Sequence, residues 1–78
     1  MQFTVSGSRV DLTAGDIERT ASRLTPDPLR THVVVVGGQQ FPVKQVFAAA
    51  TGIDVLDFTT NQARRVLSRL GFELRRVV

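Results

Sequence analysis

The sequence contains no cysteine, tryptophan or tyrosine, and its one histidine is His32. The absence of cysteine excludes a disulfide framework and thiolate metal sites, and a metal site with one histidine would need carboxylates to complete it. The longest purely aliphatic run is Val33 to Val36, whereas a membrane-spanning helix needs about 20 apolar residues. We therefore expect no metal site, no cofactor and no membrane association.

Residues 1–5 lack the basic region and long apolar stretch of a signal peptide, which predicts a cytoplasmic protein. A chain of 78 residues is too short to form two bodies that each bury a core, so residues 1–78 are expected to be a single domain. The composition, 42% hydrophobic and 22% charged, is typical of a folded globular chain.

The positive charge is concentrated at one end of the chain. Ten basic residues against seven acids give a net charge of +3. Residues 60–78 contain five arginines and one acid, Glu73, a local charge of +4, so residues 1–59 sum to about −1. A locally basic segment favours an anionic partner.

The amino-terminal segment has the pattern of a β-hairpin. A two-residue turn at residues 7–8, with glycine supplying the positive φ of a type II′ turn, predicts that Val5 faces Val10 and that Phe3 faces Leu12. This register places all four apolar side chains on one side, and a slip by one residue would turn one strand's pair to the wrong face.

Two segments have helix signals at both ends. A Thr-x-x-Asp pattern at residues 13–16 resembles a capping box and predicts a helix over residues 14–24, which two prolines then end. Pro42 at the start and Gly52 past the end predict a second helix over residues 43–51.

Residues 33–36 are β-branched throughout and are predicted to form a strand. Because this run does not alternate, it should be covered on both faces and lie at the centre of a small sheet. Residues 37–38 are predicted to turn the chain, residues 39–41 to return beside it, and residues 72–78 to form a last strand.

A third helix is predicted to begin at Thr59 or Thr60 and to end at Gly71. Helical spacing gives it an apolar face opposite a basic, amide-bearing face. The apolar positions are Ala63, Val66, Leu67 and Leu70, and the opposite positions are Asn61, Gln62, Arg64, Arg65, Ser68 and Arg69. The corner before this helix is expected to be pinned to the core by three side chains, those of Ile53, Leu56 and Phe58.

Together these elements predict an α+β fold in the order ββαβ(β)ααβ. It is a small antiparallel sheet with three helices, and the last two helices form a helix-turn-helix-like, winged-helix-like corner.

Several short segments within residues 33–75 form a pattern of their own. They are Phe41-Pro42-Val43-Lys44, Thr51-Gly52, Asp57-Phe58-Thr59-Thr60, Ala63 and Leu70-Gly71-Phe72. The pattern resembles the N-terminal head domain of McrA-like modification-dependent restriction endonucleases and of small stand-alone relatives. It departs from that family at Val43, where a second proline is usual, and at the threonine pair, where two glycines are common. The resemblance implies association with DNA or DNA-handling machinery, and without an accompanying nuclease segment no cleavage activity is expected.

The leading hypothesis is a DNA-binding module in which the last helix lies against the groove and the terminal strand acts as a wing. Arginine can contact guanine or a phosphate, Asn and Gln can pair with adenine, and hydroxyl and N–H groups at a helix start can hold a phosphate. The predicted nucleic-acid-binding residues are Lys44, Thr59, Thr60, Asn61, Gln62, Arg64, Arg65, Arg69, Arg75 and Arg76. The expected partner is double-stranded DNA.

The alternative hypothesis is a protein-interaction or dimerisation module without nucleic-acid binding. In that case strands at residues 33–36 and 72–78 would pair across a homodimer axis, or the domain would dock onto a larger DNA-processing protein.

An enzyme is not expected, and no catalytic residue is predicted. His32 is the one candidate base for a nucleophile. Asp54 and Asp57 are interpreted as turn or capping residues, and the glycine pair at residues 37–38 lacks the Lys-Ser/Thr sequel of a phosphate-binding loop.

Overall fold

Three helices and five strands make up the computed structural model, which describes residues 1–77. The strands are β1 (Gln2–Val5), β2 (Ser8–Asp11), β3 (His32–Val36), β4 (Gln39–Pro42) and β5 (Glu73–Arg76), and the helices are α1 (Ala14–Ser22), α2 (Val43–Thr51) and α3 (Thr60–Arg69). The predicted order and the α+β class are confirmed. Val78, the predicted end of the last strand, lies outside the described residues.

The hairpin β1–β2 forms, but its turn is one residue earlier than predicted. The turn residues are Ser6 and Gly7, with φ values of 50° and 80°, as a type I′ turn requires at both positions. The predicted register is therefore wrong: Phe3 faces Val10, and Val5 faces Ser8. A shift of one residue in the turn moves the pairing by two residues, so each side chain keeps its face.

β3 lies at the centre of an antiparallel sheet with the order β4-β3-β5, as predicted. Val34 and Val36 belong to the core that the helices complete, whereas Val33 and Val35 point to the opposite face by strand alternation. Val33 is buried there but Val35 is only partly buried. The predicted cover on both faces is therefore complete at Val33 and partial at Val35.

Each edge of β3 already has a partner strand. The predicted pairing of β3 across a dimer axis is therefore wrong, since the strand has no unpaired backbone edge to offer. The outer edge of β5 has no neighbouring strand within the described residues.

The helices begin and end close to the predicted residues. Thr13 and Asp16 form the full capping box that starts α1, and α1 ends at Ser22, two residues before the predicted end. Gly52 follows α2 in the left-handed conformation, with φ 77°, and its N–H donates to the carbonyl of Ala48 at 2.8 Å. The ends of α2 set the position of the corner that leads to α3.

The core is formed by side chains from all the helices and from both sheets. At its centre Phe47 of α2 meets Phe58 edge to face, with ring centroids 4.7 Å apart, an arrangement that aromatic rings favour. Phe58 is 4% exposed and stands directly before the cap of α3. This aromatic pair therefore fixes where α3 starts.

Candidate nucleic-acid interface

A complete capping box holds the start of α3. The Thr59 hydroxyl accepts from the Gln62 N–H at 3.1 Å, and the Gln62 side-chain oxygen accepts from the Thr59 N–H at 2.8 Å. The same Gln62 oxygen accepts from the Ser6 hydroxyl at 3.3 Å, which ties the hairpin turn to the helix. The Thr59 hydroxyl and the side-chain oxygen of Gln62 are therefore used within the protein, and both residues position the helix.

The apolar face of α3 is buried as predicted. Ala63 and Leu67 are 0% exposed and Val66 is 4% exposed. The remaining predicted member, Leu70, is partly buried against the same core. Burying this face fixes the rotation of the helix about its axis, and the arginines must then lie outside.

Arg65 and Arg69 are exposed on the outer face of α3, and Arg64 is partly buried beside it. None of these arginines forms an ion pair within residues 1–77. Asn61 accepts from an Arg64 guanidinium nitrogen at 3.4 Å, and Arg64 Nε is buried without a hydrogen-bond partner. The outer face of α3 is thus a positive surface that neighbouring carboxylates do not neutralise.

Arg69 lies on the side of α3 nearest the hairpin. Its guanidinium carbon is 5.9 Å from the centroid of the Phe3 ring, within the range of a cation–π contact. The side chain therefore covers an edge of the core while it remains exposed on the surface.

A cleft of about 670 Å³ opens at the amino-terminal ends of α2 and α3. Its lining combines apolar, hydroxyl and basic side chains, with one acid. The lining residues are Asp27, Pro28, Arg30, Thr31, His32, Pro42, Val43, Lys44, Gln45, Val55 and Thr60. The structure thus brings Lys44 and Thr60, two of the predicted residues, to one cavity.

Polar and aromatic contacts hold the walls of this cleft. The Gln45 side chain donates to the Thr25 carbonyl and accepts from the Asp27 N–H, each at 2.9 Å, so it clamps the loop before β3 onto α2. Lys44 Nζ lies 5.2 Å from the centroid of the Phe58 ring. Nδ1 of His32 is buried without a hydrogen-bond partner.

The two arginines of β5 lie on opposite faces of the sheet. Arg75 is opposite Val33 and forms an ion pair with Glu73, on the face that the helices leave open. Arg76 is opposite His32 and lines a hollow of about 430 Å³ together with Arg30. The structure therefore separates Arg75 from the other predicted cations.

Arg30 is a basic residue outside the set of binding residues predicted from the sequence. It lines both the cleft with Lys44 and the hollow with Arg76. A basic side chain two residues before β3 is the available signal, but its partners Lys44 and Arg76 come from two distant segments. Only the folded arrangement identifies Arg30 as the link between them.

The corner between α2 and α3 differs from its prediction. Phe58 is buried and Ile53 packs partly against the core, but Leu56 is 89% exposed. The prediction for Leu56 is wrong because residues 55–57 form a 3-10 turn that points this side chain outward. Eight residues, 52–59, separate the two helices, more than the three or four of a helix-turn-helix motif.

Within residues 1–77 no group of three or more His, Asp or Glu side chains could hold a metal ion. No helix in this part of the chain has the length and apolar character needed to cross a membrane.

A family model described as SCO5918-like matches residues 1–78. No curated protein and no solved structure matches the chain.

Proposed function

The chain belongs to the SCO5918-like family, and we propose that it is a module that binds double-stranded DNA through the outer face of α3. The observation that carries this proposal is the set of arginines on that face without a carboxylate partner within residues 1–77. A guanidinium that already pairs with a carboxylate has less to gain from a phosphate. The guanidinium groups of α3 have no such carboxylate partner within residues 1–77 and can therefore still pair with an anionic ligand.

The side chains of this face take different roles. Arg65 and Arg69 are exposed and contact phosphates or guanine, as arginine does most often in DNA complexes. Asn61, at the exposed start of the helix, contacts a base edge or a phosphate. Arg64 has its Nε buried and donates to Asn61, so it orients that amide and adds positive charge.

The cations beyond α3 extend the positive surface unevenly. Arg76 shares a hollow with Arg30 and supplies the basic part of a wing-like terminal strand. Arg75 lies on the other face of the sheet and already pairs with Glu73, so its contribution is smaller. Lys44 and Thr60 line the neighbouring cleft.

We further propose that the protein binds DNA as part of a restriction or regulatory process in the cytoplasm. The role in restriction or regulation is proposed from the resemblance to McrA-like head domains, which implies a place beside DNA-processing proteins, and the cytoplasmic location is proposed because residues 1–5 lack a signal-peptide pattern. The chain contributes binding and no catalysis.

The test is a salt titration of binding to a labelled duplex, followed by fluorescence anisotropy. If Arg64, Arg65 and Arg69 each neutralise one phosphate, log K should fall with log salt at a slope of about −2.7. Raising salt from about 50 to about 200 mM should then weaken binding about 40-fold. Arg65→Gln should reduce the slope to about −1.8 and the loss to about 12-fold.

Arg23→Gln is the matched control, because Arg23 is exposed at the end of α1 and forms no ion pair in the described chain. This variant makes the same change of charge away from α3, and its binding should have the same salt slope as the wild type. Absence of duplex binding at about 50 mM salt, or the same slope change in both variants, would refute the proposal.

A second candidate function is protein association through the outer edge of β5, which has no neighbouring strand within residues 1–77. Unpaired strand edges accept strands from other chains. Arg65→Glu separates the two functions. DNA binding through α3 predicts that this variant loses affinity for the duplex, whereas association through β5 predicts that the wild type and the variant share a mass above that of a monomer and that neither binds the duplex.

A further inference from the structure

We propose that the corner at residues 54–57 of one copy docks into the cleft of a second copy, so that two copies exchange corners about a two-fold axis. Here the cleft is the cavity that Arg30, Lys44 and Val55 help to line. The proposal does not depend on DNA binding through the outer face of α3, because it rests on the corner and the cleft and concerns a different partner.

The corner presents apolar side chains on a fixed backbone. Leu56 is 89% exposed and Val55 is 43% exposed. The Asp54 carboxylate accepts from the Leu56 N–H at 2.8 Å, and the Asp57 N–H donates to the Asp54 carbonyl at 2.9 Å. Single exposed leucines are common on protein surfaces, but here two adjacent apolar side chains are held outward by a capped turn. Such a turn loses little conformational entropy when it binds.

The cleft has the space and the chemistry to accept this corner. Its volume of about 670 Å³ is ample for a leucine side chain, and Pro28, Pro42 and Val43 provide apolar walls. The clamp of Gln45 on the loop before β3 keeps one wall in place. The cavity therefore exists before any partner arrives.

The charges of the corner and the cleft are complementary. The corner carries Asp54 and Asp57, whereas the cleft carries Arg30 and Lys44. Within residues 1–77 neither cation forms an ion pair, and neither does Asp57. Asp27 is the one acid of the lining, which leaves the cavity with excess positive charge.

The position of the corner favours a closed dimer. Because Val55 lines the cleft and Leu56 follows it directly, the docking side chain and the receiving cavity adjoin on one surface. When each copy donates its corner to the other, both contacts form beside the axis and no site remains open for a third copy. The product is a dimer and not a filament.

The first test measures mass by sedimentation equilibrium from about 10 µM to about 1 mM protein. We expect a monomer–dimer equilibrium for the wild type, and a dissociation constant at least about 10-fold higher for Leu56→Asp. Leu29→Asp is the matched control, because Leu29 is also exposed and lines the adjoining hollow but not the cleft. It should leave the equilibrium unchanged.

The second test exchanges the charges and compares each variant with a mixture. Asp57→Arg alone, and Arg30→Glu with Lys44→Glu, should each weaken the homodimer, because like charges then face each other. An equimolar mixture should restore the dimer, since the basic corner meets the acidic cleft and the unchanged corner meets the unchanged cleft. Circular dichroism of each variant verifies the fold.

A wild type that stays monomeric to about 1 mM would overturn the proposal. So would a Leu56→Asp variant with unchanged association, because the dimer would then use another surface such as the β5 edge. Failure of the mixed charge variants to associate would also overturn it.

Discussion

Replacing Leu67 with Ala tests the rotation of α3, on which the whole arginine surface depends. Leu67 is 0% exposed, so the change removes three buried carbons, worth about 2.4 kcal/mol of transfer free energy at about 0.8 each. The cavity left behind raises the expected loss to about 3 kcal/mol, within a usual range of about 2 to 5. A folded chain of 78 residues has a total stability of about 4 to 12 kcal/mol, so the substitution should remove about a quarter to three quarters of it.

Leu56→Ala is the matched control, with the same chemical change at an 89% exposed side chain. Its effect on the free energy of unfolding should stay within about 0.5 kcal/mol. Urea unfolding of dilute protein, followed by circular dichroism at 25 °C, measures both values. In thermal melts the Leu67 variant should unfold about 12 to 24 °C lower than the wild type, at about 4 to 8 °C per kcal/mol.

A loss below about 1 kcal/mol for Leu67→Ala would refute this description of the core. It would mean that a different side of α3 faces the sheet and that Arg65 is not where the proposed binding surface needs it. An effect of Leu56→Ala equal to that of Leu67→Ala would contradict the exposed corner in the same way.

Three further predictions concern the ends of the helices and the response to pH. Thr59→Ala removes one half of the α3 capping box and should lower the free energy of unfolding by about 1 kcal/mol in urea titrations; an unchanged midpoint would contradict the cap. Gly52→Ala should lower the free energy of unfolding by about 1 to 2 kcal/mol, because the φ of Gly52 is 77°. Gly15→Ala inside α1 should raise it by about 0.5 to 1 kcal/mol. Equal losses in the two variants would contradict this difference between the two glycines. Hydrogen bonds from the backbone and side chain of Thr13 hold the pKa of Asp16 below its ordinary value of 3.8. The ionised carboxylate therefore stabilises the fold above pH 3.8, and this contribution is lost as the pH falls through the lowered pKa. Asp16→Asn should therefore flatten the decline of stability as the pH falls below 3.8, and a decline as steep as in the wild type would exclude the capping role.

The helices could be predicted from sequence because their signals are local. The face of α3 follows from the spacing of Ala63, Val66 and Leu67, and its start follows from a threonine with a glutamine three residues later. Gly52 marks the end of α2 because the left-handed conformation there costs a glycine nothing. Each signal lies within one or two turns of the backbone that it controls.

The hairpin register and the corner could not be predicted for physical reasons. Turns at Ser6-Gly7 and at Gly7-Ser8 both keep Phe3 and Val5 on the same face, so hydrophobic alternation does not distinguish them. A 3-10 turn of three residues has no periodicity that could show which side Leu56 takes. Its direction is set by where the two flanking helices pack.

The cleft could not be predicted because it joins side chains that are distant in sequence. Arg30, Lys44 and Thr60 come from the loop before β3, from α2 and from α3. Sequence chemistry selects Lys44 and Thr60 singly, but only the packing of three elements shows that they share a cavity with Arg30.

The hairpin β1–β2 is a sheet of its own, without strand pairing to β3, β4 or β5 within the described chain. Side chains alone fasten it to the body, including Phe3 beneath Arg69 and Ser6 against Gln62. Regions that lack shared backbone pairing are the first to open in native-state fluctuations, so amide protons of the hairpin should exchange with solvent sooner than those of β3. Phe3 and Ser6 of the hairpin contact Arg69 and Gln62 of α3. If the hairpin detached, Arg69 would lose its contact with the Phe3 ring, and Gln62 of the α3 cap would lose its hydrogen bond from Ser6 at the same time.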